Sequence, residues 1–230
     1  MLSDIITIEK VLYECFEKEP FQNFYQLNNV KPTTFEFGGT CSDKSLSFYY
    51  KLKKMGYDVH LHSSWINEQE IHRVVRINLN NLSFLADVGN GWPSIHLYPL
   101  HEEVSFKAFG MDFQSRLLND KIQVFHTNMG KRSLLFESYF KCKSEEEIMD
   151  DIRNRFSRGI QYPFNGKIRF SQIVNGRFLF LKDDRLRIHT DSDYKEITGI
   201  KLDEISTIIR DYFDFDLEKF ERLTTIRVQP

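Results

Sequence analysis

Apolar residues in the first eighteen positions recur at helical spacing. The stretch SDIITIEKVLYECFEK (residues 3–18) predicts an amphipathic helix with Ser3 or Asp4 as its cap and Pro20 as its stop. A second helical pattern runs from Ser42 to Met55, and Gly56 fits its C-terminal cap. The period then falls from 3.6 to 2. YDVHLHSSWI, HRVVRINL and LSFLADV read as strands, with turns at Asn67–Glu70 and Asn80-Asn81. From Ile95 to Phe140 the chain reads as β-rich without sharp boundaries. Ser144 and Glu147 form a capping box opening a helix through about Phe156. KIRFSQIV and RFLFLK around Asn175-Gly176 predict a hairpin, RLRIHT a further strand, and KLDEISTIIRDYF the last helix. Helices, then strands, then a mixed end predict an α+β fold of contiguous subdomains.

Composition narrows the function classes. The 230 residues are 41% hydrophobic and 28% charged, as in ordinary globular chains, and the net charge of −2 offers no basic excess for a nucleic acid. No apolar run is long enough to span a membrane, and MLSDIITIEK is broken by Asp4 and Glu9, so neither a membrane anchor nor a signal peptide is expected. Cys15, Cys41 and Cys142 are too few and too scattered for a disulfide framework or a zinc site, which fits a reducing cytoplasm. His60, His62, His96, His101, His126 and His189 show no metal-ligand spacing, and no metal is expected.

Chemistry enters at TFEFGGTCSDKS (residues 34–45). Most free cysteines are inert core residues. Cys41, however, follows Gly38 and Gly39 and opens a helix, where unsatisfied backbone N–H groups and the positive end of the dipole favour a thiolate.

The hairpin from Ile71 to Val88 supplies partners. A two-residue loop at Asn80-Asn81 sets Leu79 opposite Leu82 and Val74 opposite Asp87. His72 then shares a face with Val74 and lies diagonal to Asp87, with Cα atoms roughly 7–8 Å apart. Val75, Ile77, Leu79, Leu82, Phe84, Ala86 and Val88 collect on the opposite face as core. A cysteine needs a base, and the base needs a carboxylate to fix its tautomer, so Cys41, His72 and Asp87 form a candidate nucleophile relay.

These residues give the chain a resemblance to the arylamine N-acetyltransferase family. FGGTC (Phe37–Cys41) resembles the family's Arg-Gly-Gly-x-Cys motif, and His72 is similar to its strand-opening histidine. DVGNG (Asp87–Gly91) resembles its Asp-Val-Gly-x-Gly, and EPFQNF (Glu19–Phe24) its Pro-Phe-Glu-Asn stretch. NGRFLFLKDDRLRIHT and DYFDFDL extend the likeness toward the C-terminus. The resemblance implies a helical subdomain over 1–56, a β-barrel over 57–143 and an α/β lid over 144–230. It implies acetyl-CoA as the donor and an amine as the acceptor, exchanged through an acyl-cysteine. Cys41 would be the nucleophile, His72 the base and then the acid, and Asp87 the orienting carboxylate. Gly89 and Gly91 would face the CoA pyrophosphate, and Asn90 would line the acceptor pocket.

The sequence departs from that pattern. Phe37 replaces the motif arginine, and Asp43 and Ser45 stand where the family has Glu and Asn. Asn90 replaces a bulky apolar residue and would make the acceptor pocket more polar. NRFSRGIQYPF (residues 154–164) keeps Asn154, Phe156 and Pro163-Phe164 but little of the Ser/Thr pattern that helps bind CoA. An amide synthase taking a carrier-tethered or intramolecular acyl group is the nearest alternative. A non-catalytic relative of the same fold is another. Peptidases and transglutaminases share the order Cys, His, Asp but have no purpose for the glycine loop after Asp87.

Overall fold

The computed structural model describes residues 1–157, 162 and 166–228. Helix α1 (Leu2–Lys18) buries Ile8, Leu12, Cys15 and Phe16 along one stripe. It starts two or three residues earlier than a Ser3 or Asp4 cap requires: Met1 holds the cap position, and Asp4 lies in the first turn, where its charge favours the helix dipole. A two-residue strand β1 (Phe21–Gln22) and a single turn α2 (Phe24–Leu27) follow.

Helix α3 (Cys41–Lys54) ends as its glycine predicts. Gly56 adopts φ +88°, its N–H donates to Lys53 O (3.1 Å), and Tyr57 N–H donates to Leu52 O (3.1 Å). Buried Lys44 fastens α3 to the C-terminal end of α1, donating to the carbonyls of Cys15 (2.9 Å) and Glu19. Burial pulls its ammonium down to about 8.

The next strands are β2 (Asp58–Ile66), β3 (Gln69–Leu79), β4 (Leu82–Ala86), β5 (Tyr98–Pro99), β6 (Ser105–Ala108), β7 (Met111–Leu117), β8 (Lys121–Asn128) and β9 (Lys131–Tyr139). They form one antiparallel sheet in the order β5-β4-β3-β2-β9-β8-β7-β6. The sheet curls, because rings from its two ends meet: Tyr98 of β5 lies 5.7 Å from Phe106 of β6. The expected barrel is thus a half-barrel whose end strands meet through side chains. Its core merges with the apolar faces of α1 and α3.

Helix α4 (Glu145–Asn154) has the expected capping box, with Ser144 N–H donating to Glu147 Oε2 (2.9 Å) and Glu147 N–H to Ser144 Oγ (3.3 Å). Then come β10 (Arg169–Val174), β11 (Arg177–Lys182), β12 (Arg185–His189) and β13 (Tyr194–Thr198), followed by α5 (Ile205–Tyr212) and α6 (Leu217–Thr224). The second sheet has the order β1-β10-β11-β12-β13, so a strand from near the N-terminus completes the C-terminal sheet. Both of its faces are covered. Phe178 and Phe180 point to the larger core, while Leu179 and Leu181 point to the core that holds α5 and α6. The four residues Phe178–Leu181 are continuously apolar for that reason. These elements establish the α+β class.

Candidate active site

The loop leading into Cys41 is held from outside itself. Gly39 N–H donates to Pro20 O (3.1 Å) and Gln22 N–H to Gly39 O (3.0 Å), so the segment EPFQNF acts as a brace. Asn23 extends the brace to the second sheet, accepting Arg169 N–H (2.9 Å) and donating to Lys167 O (2.6 Å). Asp43 turns its carboxylate back to the loop, where Oδ2 accepts Thr40 N–H (3.1 Å), while Oδ1 pairs with Arg155. Ser45 donates to Arg73 O (2.8 Å), tying α3 to β3 beside His72. Phe37, in place of the motif arginine, packs on Phe220 of α6 (5.3 Å) and on Phe215 (6.0 Å).

The turn between β3 and β4 has Asn80 and Asn81 at φ +50° and +68°, the backbone of a two-residue hairpin loop. It pairs Leu79 with Leu82 and Val75 with Ala86. His72 and Asp87 consequently fall together, and His72 Nε2 donates to Asp87 Oδ1 at 3.0 Å with both side chains buried. Cys41 Sγ lies 3.7 Å from Ile71 O, at the residue before His72.

Charge follows this geometry. Burial pulls His72 down, but the Asp87 carboxylate and the Cys41 sulfur push it up further, to about 10. Burial raises the Cys41 thiol, yet hydrogen bonding and charge from His72, with help from Arg73, leave it below its ordinary value. The arrangement favours a thiolate–imidazolium pair. With Nε2 on Asp87, Nδ1 is the nitrogen that serves the sulfur.

Asp87 has two further donors. Gly89 N–H reaches Oδ1 (3.1 Å), and the Asn90 amide reaches Oδ2. The other end of Asn90 accepts Trp92 N–H (2.7 Å). Asn90 lines the cavity, and its amide also braces Asp87 and holds the Trp92 N–H. We expect Asn90→Leu to slow acylation of Cys41 about tenfold, the worth of one hydrogen bond to a charged group. The pH profile of Cys41 alkylation should move upward in the same variant. Wild-type rate and profile in a folded Asn90→Leu protein would show that the amide does not act on the relay.

A cavity of about 280 Å³ opens over the thiol. Trp92 forms one wall, 4.6 Å from the His126 ring and 4.8 Å from Phe180. Arg169, Lys182 and Arg187 line it from the second sheet. Gly91 pins the loop to that sheet, its carbonyl accepting Ser171 Oγ (2.8 Å). Among the described residues no group of three or more metal-binding side chains occurs, and no helix is long and apolar enough to cross a membrane. Of the segment 154–164, Asn154 ends α4, and Phe156 packs against the C-terminal core. Pro163-Phe164 lies outside the described residues.

Sequence reasoning missed Arg73, Trp92, the brace from Asn90 and the three cations. Arg73 was visible only as the neighbour of His72, and it is buried against Asp151 of α4 (3.2 Å).

Comparison with known proteins agrees with this architecture. A family model described as N-acetyltransferase matches residues 35–222. No curated protein matches by sequence. Among solved structures, an arylamine N-acetyltransferase of Mycobacterium smegmatis is similar, at TM-score 0.78 and 14% identity over 98% of this chain and 89% of that one. One from Salmonella typhimurium reaches TM-score 0.79 at 11% identity, over 93% and 85% of the two chains. One from Bacillus cereus, described as having a unique Cys-His-Glu catalytic triad, reaches 0.72 at 19% identity, over 93% and 92%. At these identities the structures speak for the fold, while the family match spans most of the sequence. The chain therefore belongs to the N-acetyltransferase family, as a divergent member alongside the arylamine N-acetyltransferases.

Proposed function

We propose that this protein moves an acetyl or similar acyl group from an acyl-CoA, through an acyl-cysteine on Cys41, to an arylamine, hydrazine or related amine. The observation that carries the reading is a buried thiol served by an imidazole whose other nitrogen sits on a buried carboxylate, beneath an aromatic-walled cavity.

In the first half-reaction the Cys41 thiolate attacks the thioester carbonyl. The carbon–sulfur bond to CoA breaks, and the departing thiolate takes the proton from His72. In the second, the amine attacks the acyl-cysteine, His72 accepts the amine proton, and the Cys41 thiolate leaves. Asp87 keeps its negative charge throughout and stabilises the imidazolium each time it forms. The start of α3 offers dipole and N–H groups to the developing oxyanion. Gly89 packs directly on Cys41, and Gly91 ties the same loop to the second sheet through Ser171. In this reading the donor's phosphates approach the loop backbone at Gly89 and Gly91.

Incubation with acetyl-CoA, followed by intact mass and peptide mapping, should find one acetyl group, on Cys41. Label on Cys15 or Cys142 instead, or none on any thiol, would overturn the assignment. Label obtained only from a carrier-linked acyl group would move the function to amide synthesis.

A further inference from the structure

The cavity's second wall is more cationic than acyl transfer to a neutral amine requires. Strand register puts Arg169 directly opposite Lys182, and Phe180, two residues before Lys182, opposite Arg187. All three cations therefore share the sheet face that lines the cavity above Cys41. Like charges directly opposite each other on a sheet are destabilising.

Among the described residues, two carboxylates lie against this face. Arg187 donates to Glu196 (2.8 Å), and Asp183 sits beside Lys182 and Arg169. Lys182 itself has no ion-pair partner among the described residues. Burial lowers its ammonium, and Arg169 and Arg187 lower it further. Across the cavity His126 is buried and neutral, with Nδ1 lacking a hydrogen-bond partner among the described residues. Such a wall costs stability in the empty protein and gains partners when an oxyanion enters.

We infer that Arg169, Lys182 and Arg187 form an oxyanion-reading wall of the acyl-transfer cavity, taking either a carboxylate carried by the amine acceptor or a phosphate carried by the donor. The Trp92 and Phe180 rings beside it suit an aromatic body attached to that anion. The inference rests on the proposed acyl transfer for its two sources, but anion binding itself does not depend on turnover.

Lys182→Met tests the wall, with Lys182→Arg as the variant that keeps the charge and melting curves for both. Two ratios are read. One compares kcat/KM for 4-aminobenzoate with that for neutral 4-aminobenzamide. The other compares Cys41 acylation by acetyl-CoA with acylation by the neutral N-acetylcysteamine thioester. Lys182→Met should lower one ratio by about tenfold or more, the loss of one charge-assisted hydrogen bond, and Lys182→Arg should restore it. A fall in the first ratio assigns the wall to the acceptor, and a fall in the second assigns it to the donor. Both ratios within twofold of wild type in a folded Lys182→Met protein would overturn the inference. Calorimetric titration of unacylated protein with 4-aminobenzoate and with CoA separates this result from failure of acyl transfer. Lys182-dependent binding without any acylation would uphold the wall and reject the proposed function. Binding of neither compound would reject the wall.

Discussion

Asp87→Asn should acylate Cys41 on the order of 10²–10⁴ times more slowly than wild type, a loss of about 3–5 kcal/mol of transition-state stabilisation. The carboxylate is fully buried, accepts from His72 Nε2 and Gly89 N–H, and binds the Asn90 amide. An asparagine fills the same space but is neutral, and its amide can donate where a carboxylate only accepts. His72 would lose the charge that holds its pKa up to about 10, and its Nε2 would be left facing either a donor or a weaker acceptor. The thiol would lose its imidazolium partner in turn and rise. Stability should change with a definite sign. The His72 pKa is raised on folding from 6.5, so its contribution is complete below pH 6.5 and is lost as pH rises through about 10. The melting difference between wild type and Asp87→Asn from this source should be largest near pH 6 and shrink toward pH 10. Single-turnover acylation, measured where both proteins are folded, isolates the chemical effect. A folded Asp87→Asn protein acylating within threefold of wild type would leave only a Cys–His pair.

What could be read from the chain, and what could not, follows the distance over which each feature is determined. The His72–Asp87 contact was legible because a two-residue turn fixes register locally, and Asn80-Asn81 tolerates the positive φ that such a turn needs. The end of α3 was equally local, since Gly56 alone supplies its left-handed cap. By contrast β1 reads as two residues of loop. It becomes a strand only because β10, with Phe21 paired to Ser171, comes to lie beside it. Strand β13 alternates weakly and keeps Lys195 and Thr198 exposed, so no apolar pattern announces it. Helix α6 was hidden by the aromatic, acidic stretch DYFDFDL, in which Asp216 is the cap, accepting Lys219 N–H at 2.8 Å. The cationic wall draws one residue from each of three strands, and only register shows that they share a face. The bond from Asn90 to Asp87, three residues behind it, was not legible, because no side-chain pattern in a glycine loop fixes which way an amide turns.

Gly89→Ala should damage the site without removing any functional group. A Cβ at this position would stand 2.4 Å from Cys41 Cα and 2.8 Å from its Cβ, well inside any real contact. The atoms it would strike belong to the first residue of α3, which Thr40 and Asp43 clamp from one side and Ser45 from another. Relief to ordinary contact needs the loop or the nucleophile to move by about 1 Å. Gly89 N–H is also one of the donors to Asp87, so a shift of the loop disturbs the carboxylate as well as the thiol. A misplacement of about 1 Å can cost roughly 10²-fold in rate, and overpacking of this kind typically costs about 1–3 kcal/mol in stability. Gly56→Ala provides the comparison, because it sits at the other end of the same helix with φ +88° and nothing within 4 Å of the added carbon. It should lose about 1 kcal/mol from the left-handed backbone alone and acylate at the wild-type rate. The two variants therefore separate a stability cost from a displaced nucleophile. The expected pattern is a lower melting temperature for both and a loss of Cys41 acylation, on the order of 10²-fold, for Gly89→Ala only. Acylation within threefold of wild type in Gly89→Ala would mean that the loop yields at no cost to the sulfur, and that close packing of Gly89 on Cys41 does not position the nucleophile.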